Sequence, residues 1–215
     1  MSSETAITVE RDAVSRILDA ARSLFAEHGF DAVSMNAIAE AAGVSKANIF
    51  HHFKSKDDLY LAVLRTACAS SCEQIERFGQ DAGPFEQRLK RYTAEHLKNI
   101  LDNEQVTRLI QRDLLENGPQ RGRQFAEQVF GQNFGRLVEI LREGQLRGEL
   151  RQDIDPALVA LMVIGTNITF FQAREVFRHF PDVTFAAAPE AYSRMAMDIV
   201  LQGIQPSAPR DTEKE

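Results

Sequence analysis

The chain has 215 residues, 44% apolar and 26% charged, with a formal net charge of −6. That supplies ample material for a buried core, and it excludes a general polyanion binder, so any affinity for nucleic acid must come from local charge. Two cysteines do not make a disulfide scaffold, no apolar run follows a basic start as in a signal peptide, and the most apolar stretch, 157–171, is too short to span a bilayer and is interrupted by Gly165, Thr166, Asn167 and Thr169. A globular cytoplasmic protein without membrane association is expected.

Nearly every segment carries helical periodicity and none alternates as a strand does, so an all-α fold is expected. Val14, Ile17, Leu18, Ala21, Leu24 and Phe25 form one stripe ended by His28-Gly29, and Phe30 plugs the small core behind it. Ser34 then caps a helix whose Ile38, Ala39 and Ala42 share a face; Gly43 turns the corner, Val44 anchors it, and Ser45 caps the next helix. This is the pattern of a helix-turn-helix, whose second helix enters the DNA major groove. Lys46 suits a phosphate or guanine edge, Asn48 an adenine edge, and His51 and His52 the backbone. Residues 1–60 hold six basic and nine acidic side chains, yet 41–56 hold Lys46, Lys54 and Lys56 and no acid. A basic tip on an acidic body is the result.

Ser55-Lys56-Asp57-Asp58 opens a long helix that runs through Leu59, Tyr60, Val63 and Leu64 as far as Phe78 and ends at the loop Gly79 to Pro84. Phe85, Leu89, Tyr92, His96 and Ile100 mark the next helix; another runs from Val106 to Leu115 and breaks at Asn117-Gly118-Pro119. A longer one starts at Gln124 and carries Phe130, Phe134, Leu137 and Leu141, with Gly144 and Gly148 fraying its end. Asp155-Pro156 opens a helix apolar on almost all sides, expected to be buried all round, and Glu190 to Gly203 forms the last, with Tyr192, Met195, Ala196 and Ile199. The tail from Gln205 is expected to be disordered. The domain division expected is a three-helix DNA-binding head over 1–60, a helical-bundle body over 61–204, and the tail over 205–215.

From Phe25 to Leu59 the chain resembles the TetR family of bacterial transcriptional regulators. The resemblance is carried by the glycine after the first helix, by Ile38-Ala39 to Ala42-Gly43-Val44-Ser45-Lys46, by Ile49-Phe50-His51-His52-Phe53, and by Ser55-Lys56. It implies a repressor that binds an operator in double-stranded DNA and is relieved by a small-molecule effector. Carried over position by position, Lys46, Ala47 and Asn48 face base edges, His52 and Lys56 hold phosphates, and Ser34, Asn36 and Ser45 sit at or near the backbone. Phe50, His51 and Lys54 complete the expected DNA-contacting set. Phe50 stands where the family usually has tyrosine, and Asn36 where relatives are often basic.

Several of these residues have plainer readings. Asn48 can serve as a local cap instead of a base reader, and Phe50 and Phe53 fit the core better than a stacking platform. His51 and His52 point different ways on a helix, so no metal pair is expected. In the body, Arg108, Arg112, Asn133, Phe134, Asn167, Phe170, Phe171 and Arg174 are candidates for an effector pocket that reads an acidic, amphipathic molecule. Against that, the arginines can pair with Asp113 or Glu116, and Asn167 can bond across a dimer interface. Cys68 and Cys72, four apart, are expected to be inert rather than redox or metal sites.

A single short recognition helix reads few base pairs, so a homodimer on a palindromic operator is expected, its two copies roughly 34–36 Å apart. The helices 156–178 and 190–203 offer the surface for it. No cofactor is expected, and no enzyme: no Glu-x-x-His pair, His-Glu-x-x-His, nucleophile elbow or phosphate loop occurs. An adaptor that has lost DNA binding, or an activator, are the alternatives to a repressor.

Overall fold

The computed structural model describes residues 2–206, with side chains from residue 12 onward, so the tail expected to be disordered lies, from residue 207, outside the described residues. Ten α-helices carry the described chain: α1 (Ser2–His28), α2 (Met35–Ala42), α3 (Lys46–His52), α4 (Lys56–Ala67), α5 (Ala69–Gln80), α6 (Phe85–Asp102), α7 (Glu104–Phe125), α8 (Gly131–Leu146), α9 (Pro156–Phe177) and α10 (Pro189–Ile204). No strand occurs among the described residues, and the all-α class stands. They divide into two compact units, one of residues up to Ala69 together with Asn103–Gly131, the other of Ser70–Asp102 together with residues from Gln132 onward.

The first unit joins the helix-turn-helix to α4 and α7. Ile17, Ala21 and Phe25 of α1, Ile38 of α2, Ile49 of α3, Leu59, Tyr60 and Leu64 of α4, and Leu109 and Phe125 of α7 make one buried cluster. At its centre Phe25, Phe30 and Tyr60 meet ring to ring, the Phe25 and Tyr60 centroids 5.0 Å apart and edge to face. A head ending at residue 60 thus leaves out part of its own core, namely the rest of α4 and the apolar face of α7.

Three helix boundaries differ from the sequence expectation, one of them being the start of α8 at Gly131 instead of Gln124. The single helix through Phe78 is interrupted at Cys68, whose N–H bonds the carbonyls of Leu64 and Arg65. Thr66 also returns its hydroxyl to the Ala62 carbonyl at 2.9 Å, a back-bond that favours bending. In contrast, Asn117-Gly118-Pro119 does not end a helix, because α7 runs through it to Phe125. Proline's missing N–H frees the Leu115 carbonyl, and Leu115 is exposed, so solvent can take the lost bond. A π turn over Ala126–Phe130 then ends at Gly131, where a Cβ would lie 2.2 Å from the Ala126 carbonyl oxygen. Only glycine fits there, whereas Gly135, four residues on, faces open space.

The second unit packs α6 against α9 and α10, with α5 and α8 completing the cluster through Ile75, Phe78, Leu137 and Ile140. Gln145 ties down the α8–α9 loop by donating to the carbonyls of Arg151 and Ile154, both at 2.8 Å. Asp155 caps α9 by accepting from the Ala157 N–H at 2.7 Å, with Pro156 at the first position. Within one chain α9 is not buried all round. Leu158, Leu161, Met162 and Val176 are exposed, while Val159, Ala160, Val163, Asn167 and Phe170 are buried. The 22 residues of α9 match the helix expected over 156–178, and by length and composition alone it could cross a membrane. Its buried face on α6 and α10, with Asn167 inside, is that of a core helix.

Asn167 is fully buried and donates Nδ2–H to the Thr93 carbonyl at 3.0 Å, with His96 Nδ1 also 3.0 Å away. His96 stacks on Tyr92, their rings 5.9 Å apart. Burial disfavours the charged imidazole and pushes its pKa down to about 4. Because the folded value lies below the unfolded one, the unfolded chain takes up more protons between these values, and stability falls as pH drops from neutrality toward 4. His96 should account for about 2 kcal/mol of lost stability between about pH 7.5 and pH 5. Urea unfolding of wild type and His96→Gln at both pH values checks this: the variant should lose less stability on acidification, and equal losses would refute it.

Candidate nucleic-acid interface

Three serines build the helix-turn-helix from its own sequence. Ser34, Ser45 and Ser55 each stand in extended backbone and accept from the N–H three residues on, at Ala37 (3.1 Å), Asn48 (3.1 Å) and Asp58 (3.0 Å). Asp58 reciprocates, its carboxylate accepting from the Lys54 N–H at 3.1 Å. Between α2 and α3, Gly43 takes φ +64°, and the Val44 N–H reaches back to the Ala39 carbonyl at 3.0 Å. That is the left-handed close that glycine allows at least cost. Val44 packs against the core, and α3 is fastened beneath by Ile49 and Phe53.

On the outer side of α3 and its flanks lie Ser34, Asn36, Ser45, Lys46, Ala47, Phe50, His51 and Lys54, all exposed. Asn48 and His52 are half-buried, and the rings of His51 and His52 meet edge to face 4.9 Å apart. Asn48 does not itself cap; its backbone N–H is what Ser45 caps, and its side-chain oxygen is enclosed without a hydrogen-bond partner. Phe50 departs from the core reading. It is 45% exposed, whereas Phe53 is buried as expected.

Lys56 departs from the phosphate-binding expectation. Its Nζ donates to the carbonyls of Phe30 at 2.8 Å and Val33 at 3.0 Å, with Asp31 O at 3.4 Å, and lies 4.3 Å from the Phe30 ring centroid. Those bonds occupy the ammonium in closing the α1–α2 loop. Two residues that sequence reasoning passed over do related work. Arg16 donates to the Ala42 carbonyl at the end of α2 (3.3 Å) while pairing with Asp12. Arg121 of α7 donates to Asp57 at 2.6 Å and lies over the Phe30, Tyr60 and Phe125 rings. Periodicity marks Arg16 only as the exposed neighbour of Ile17, and nothing local ties Arg121 to a residue 64 positions earlier.

The eight effector-pocket candidates are not gathered in one unit. Arg108 and Arg112 belong to the first, where Arg108 pairs with Glu104 at 3.6 Å and Arg112 donates to the Phe25 carbonyl at 3.4 Å. In the second unit Phe170, stacked 4.4 Å from Tyr192, is buried like Asn167 and Phe171, and the Arg174 guanidinium lies 6.0 Å from the Phe171 ring. Asn133 is half-buried on α8 and Phe134 is exposed. Asn167 bonds within its own subunit to α6, which overturns a role across a dimer interface. Burial pushes the Cys68 thiol up to about 11, far from a reactive thiolate.

A capped helix-turn-helix whose second helix presents an acid-free, lysine-bearing face defines a DNA-binding protein of the helix-turn-helix class. The family model for bacterial regulatory proteins of the tetR family matches residues 17–63, and that for the tetracyclin repressor-like C-terminal domain matches 84–200, more than half of the chain. The chain belongs to the TetR family and is a DNA-binding transcriptional regulator. It is similar to the fatty acid metabolism regulator protein of Bacillus subtilis (strain 168), with 24% identity over 157 residues that span 73% of this chain and 80% of that protein. It is also similar to the regulator RutR of Escherichia coli (strain K12), 36% identical over 103 residues, which span 48% of each. Among solved structures, the fatty acid degradation regulator FadR from Bacillus halodurans gives a TM-score of 0.73 at 24% identity, over 88% of this chain and 98% of that one. FadR from Bacillus subtilis in complex with stearoyl-CoA gives 0.72 at 22%, over 89% and 99%. These two likenesses establish the fold.

The lysine assignments separate by experiment. Lys56→Met should lower the unfolding free energy by about 1 kcal/mol, since it removes the donor shared by two partly buried carbonyls. It should leave the salt dependence of DNA binding unchanged; a slope shallower by about one unit per lysine would restore Lys56 to the phosphate contacts.

Proposed function

We propose that the protein is a cytoplasmic repressor that binds a palindromic operator as a homodimer and is released by a small-molecule effector. The observation that carries this reading is the exposed face of α3, held by three serine caps and free of acid from residue 41 to 56. In the complex, the helix-turn-helix of the first unit acts as the DNA-binding head and the second unit as the effector and dimerisation body. Lys46, Ala47, Asn48 and Phe50 face the bases. Ser34, Asn36, Ser45, His51, His52 and Lys54 lie along the backbone.

Dimerisation follows from the apolar surface of the second unit. Leu158, Leu161 and Met162 on α9, and Met195 and Ile199 on α10, are exposed at helical spacing, and a second copy would cover them. Two heads then read two half-sites, which makes the affinity depend on their spacing. The effector site is placed around the inward face of α9, near Asn167, whose side-chain oxygen is buried without a hydrogen-bond partner. The stearoyl-CoA complex of a regulator with the same fold supports putting long-chain acyl thioesters first among the compounds to screen.

Duplex fragments retained by the purified protein should be palindromic, and inserting five base pairs between half-sites should abolish the gel shift; indifference to spacing would count against the dimer. Alanine at both Lys46 and Lys54 should eliminate binding at physiological salt and flatten the log–log salt slope by roughly 2–4 units. A screen of the protein–operator complex should then find a compound that releases it. For the interface, Leu161→Glu combined with Ile199→Glu should yield a monomer on size-exclusion chromatography that no longer shifts the operator. A variant that remains dimeric places the interface elsewhere.

A further inference from the structure

The outer face of α3 is chemically uneven. Lys46 is its one cation, and beside it stand two exposed apolar side chains, Ala47 and Phe50, three residues apart and hence neighbours on the helix surface. The Phe50 ring is 45% exposed and has no part in the core, which Ile49 and Phe53 fill from the other side. The Lys46 ammonium lies 6.0 Å from the Phe50 ring centroid, so charge and ring are presented together. A bare aromatic ring at the centre of a seven-residue helix is disfavoured in water unless it has a partner.

In the major groove the base edges offer donors, acceptors and one apolar group, the C5-methyl of thymine. A phenylalanine has no hydrogen bond to give and reads nothing else there. We propose that Phe50, with Ala47 beside it, reads thymine methyl groups in each half-site, and that Lys46 anchors the same stretch of strand. The inference rests on the proposed operator binding and gives it chemical content: the half-site carries a thymine whose methyl, not only its pairing edge, is required.

Replacing thymine by deoxyuridine removes that methyl and leaves pairing intact. Operator fragments selected by the wild-type protein are resynthesised with deoxyuridine at each thymine in turn, symmetrically in both half-sites, and titrated at fixed salt. At one or two positions the loss of a buried methyl should weaken binding about fourfold per half-site, or about 15-fold for the pair. Phe50→Ala, whose fold is checked by thermal unfolding, should bind thymine and deoxyuridine operators equally, and Phe50→Leu should restore part of the difference. Equal wild-type affinity for every deoxyuridine operator overturns the inference while leaving the operator reading intact. So does a Phe50→Ala protein that keeps the full discrimination. A wild-type protein that retains no DNA at all overturns the operator reading, and this inference with it.

Discussion

The seven residues of α3 cannot hold a helix by themselves, since so short a segment does not repay the cost of its first turn in water. Its shape is imposed from outside. Gly43 reverses the chain in a left-handed conformation, Ser45 meets the first free amide, and Ile49 sinks one side into the core. Arg16 reaches across from α1 to the last carbonyl of α2, which steadies the corner from behind. Whatever α3 reads, it reads because this corner fixes which of its side chains face outward. Lys56 extends the same logic to the other side of α2: its three carbonyl partners close the α1–α2 loop, so a lysine next to the DNA-facing surface is spent on architecture.

The core of the first unit depends on a helix distant in sequence. Leu109 and Phe125 supply apolar contact from α7, and its charged residues grip the ends of other helices. Arg112 meets a carbonyl in the last turn of α1, and Arg121 meets Asp57 in the first turn of α4, where Gln124 also donates to the same carboxylate at 2.9 Å. Asp113 is buried within this group, 3.9 Å from Arg121; burial first, and then the Asp113 charge, raise the Tyr60 pKa. Such partly buried ion pairs add little net stability, because desolvation offsets their attraction. What they do is geometric. A slip of α7 by one residue would strand a charge, so the register of α7 on α1 and α4 is sharply defined.

The sequence disclosed most where function depends on local chemistry. Capping serines, a corner glycine and a lysine-bearing stretch without acid are short-range signals, and the structure places each as its spacing implies. It misled where a residue's role is set by a distant partner. Lys56 shows no sign in the sequence of its loop-closing bonds, because its carbonyl partners lie more than 20 residues earlier. Phe50 and Phe53 look alike in the sequence, yet Phe53 lies just past α3 in extended backbone and turns inward, whereas Phe50 stays on the helix's outer face. Pro119 was expected to break a helix, but the cost of proline falls at an exposed turn. The effector candidates stand out by residue type and helical spacing, and neither says which compact unit a helix joins.

The limit of periodicity is clearest in α9. A helix that is apolar nearly everywhere gives no stripe, so its inward side could not be named from the sequence. The one informative residue was the polar one. Asn167 interrupts the run, and an amide so placed must find partners; it finds them on α6, at the Thr93 carbonyl and His96. That pair of contacts fixes the rotation of α9, and the rotation decides the rest. Val163 and Phe170, at steps of four and three from Asn167, go inward with it, and Leu158, Leu161 and Met162 are left on the outside. The uncovered stripe is therefore not a fault of packing but the consequence of giving one buried amide nitrogen its partners. A helix so oriented keeps an apolar face that a single chain of this fold leaves in water, and a second copy of the same face is the simplest cover for it.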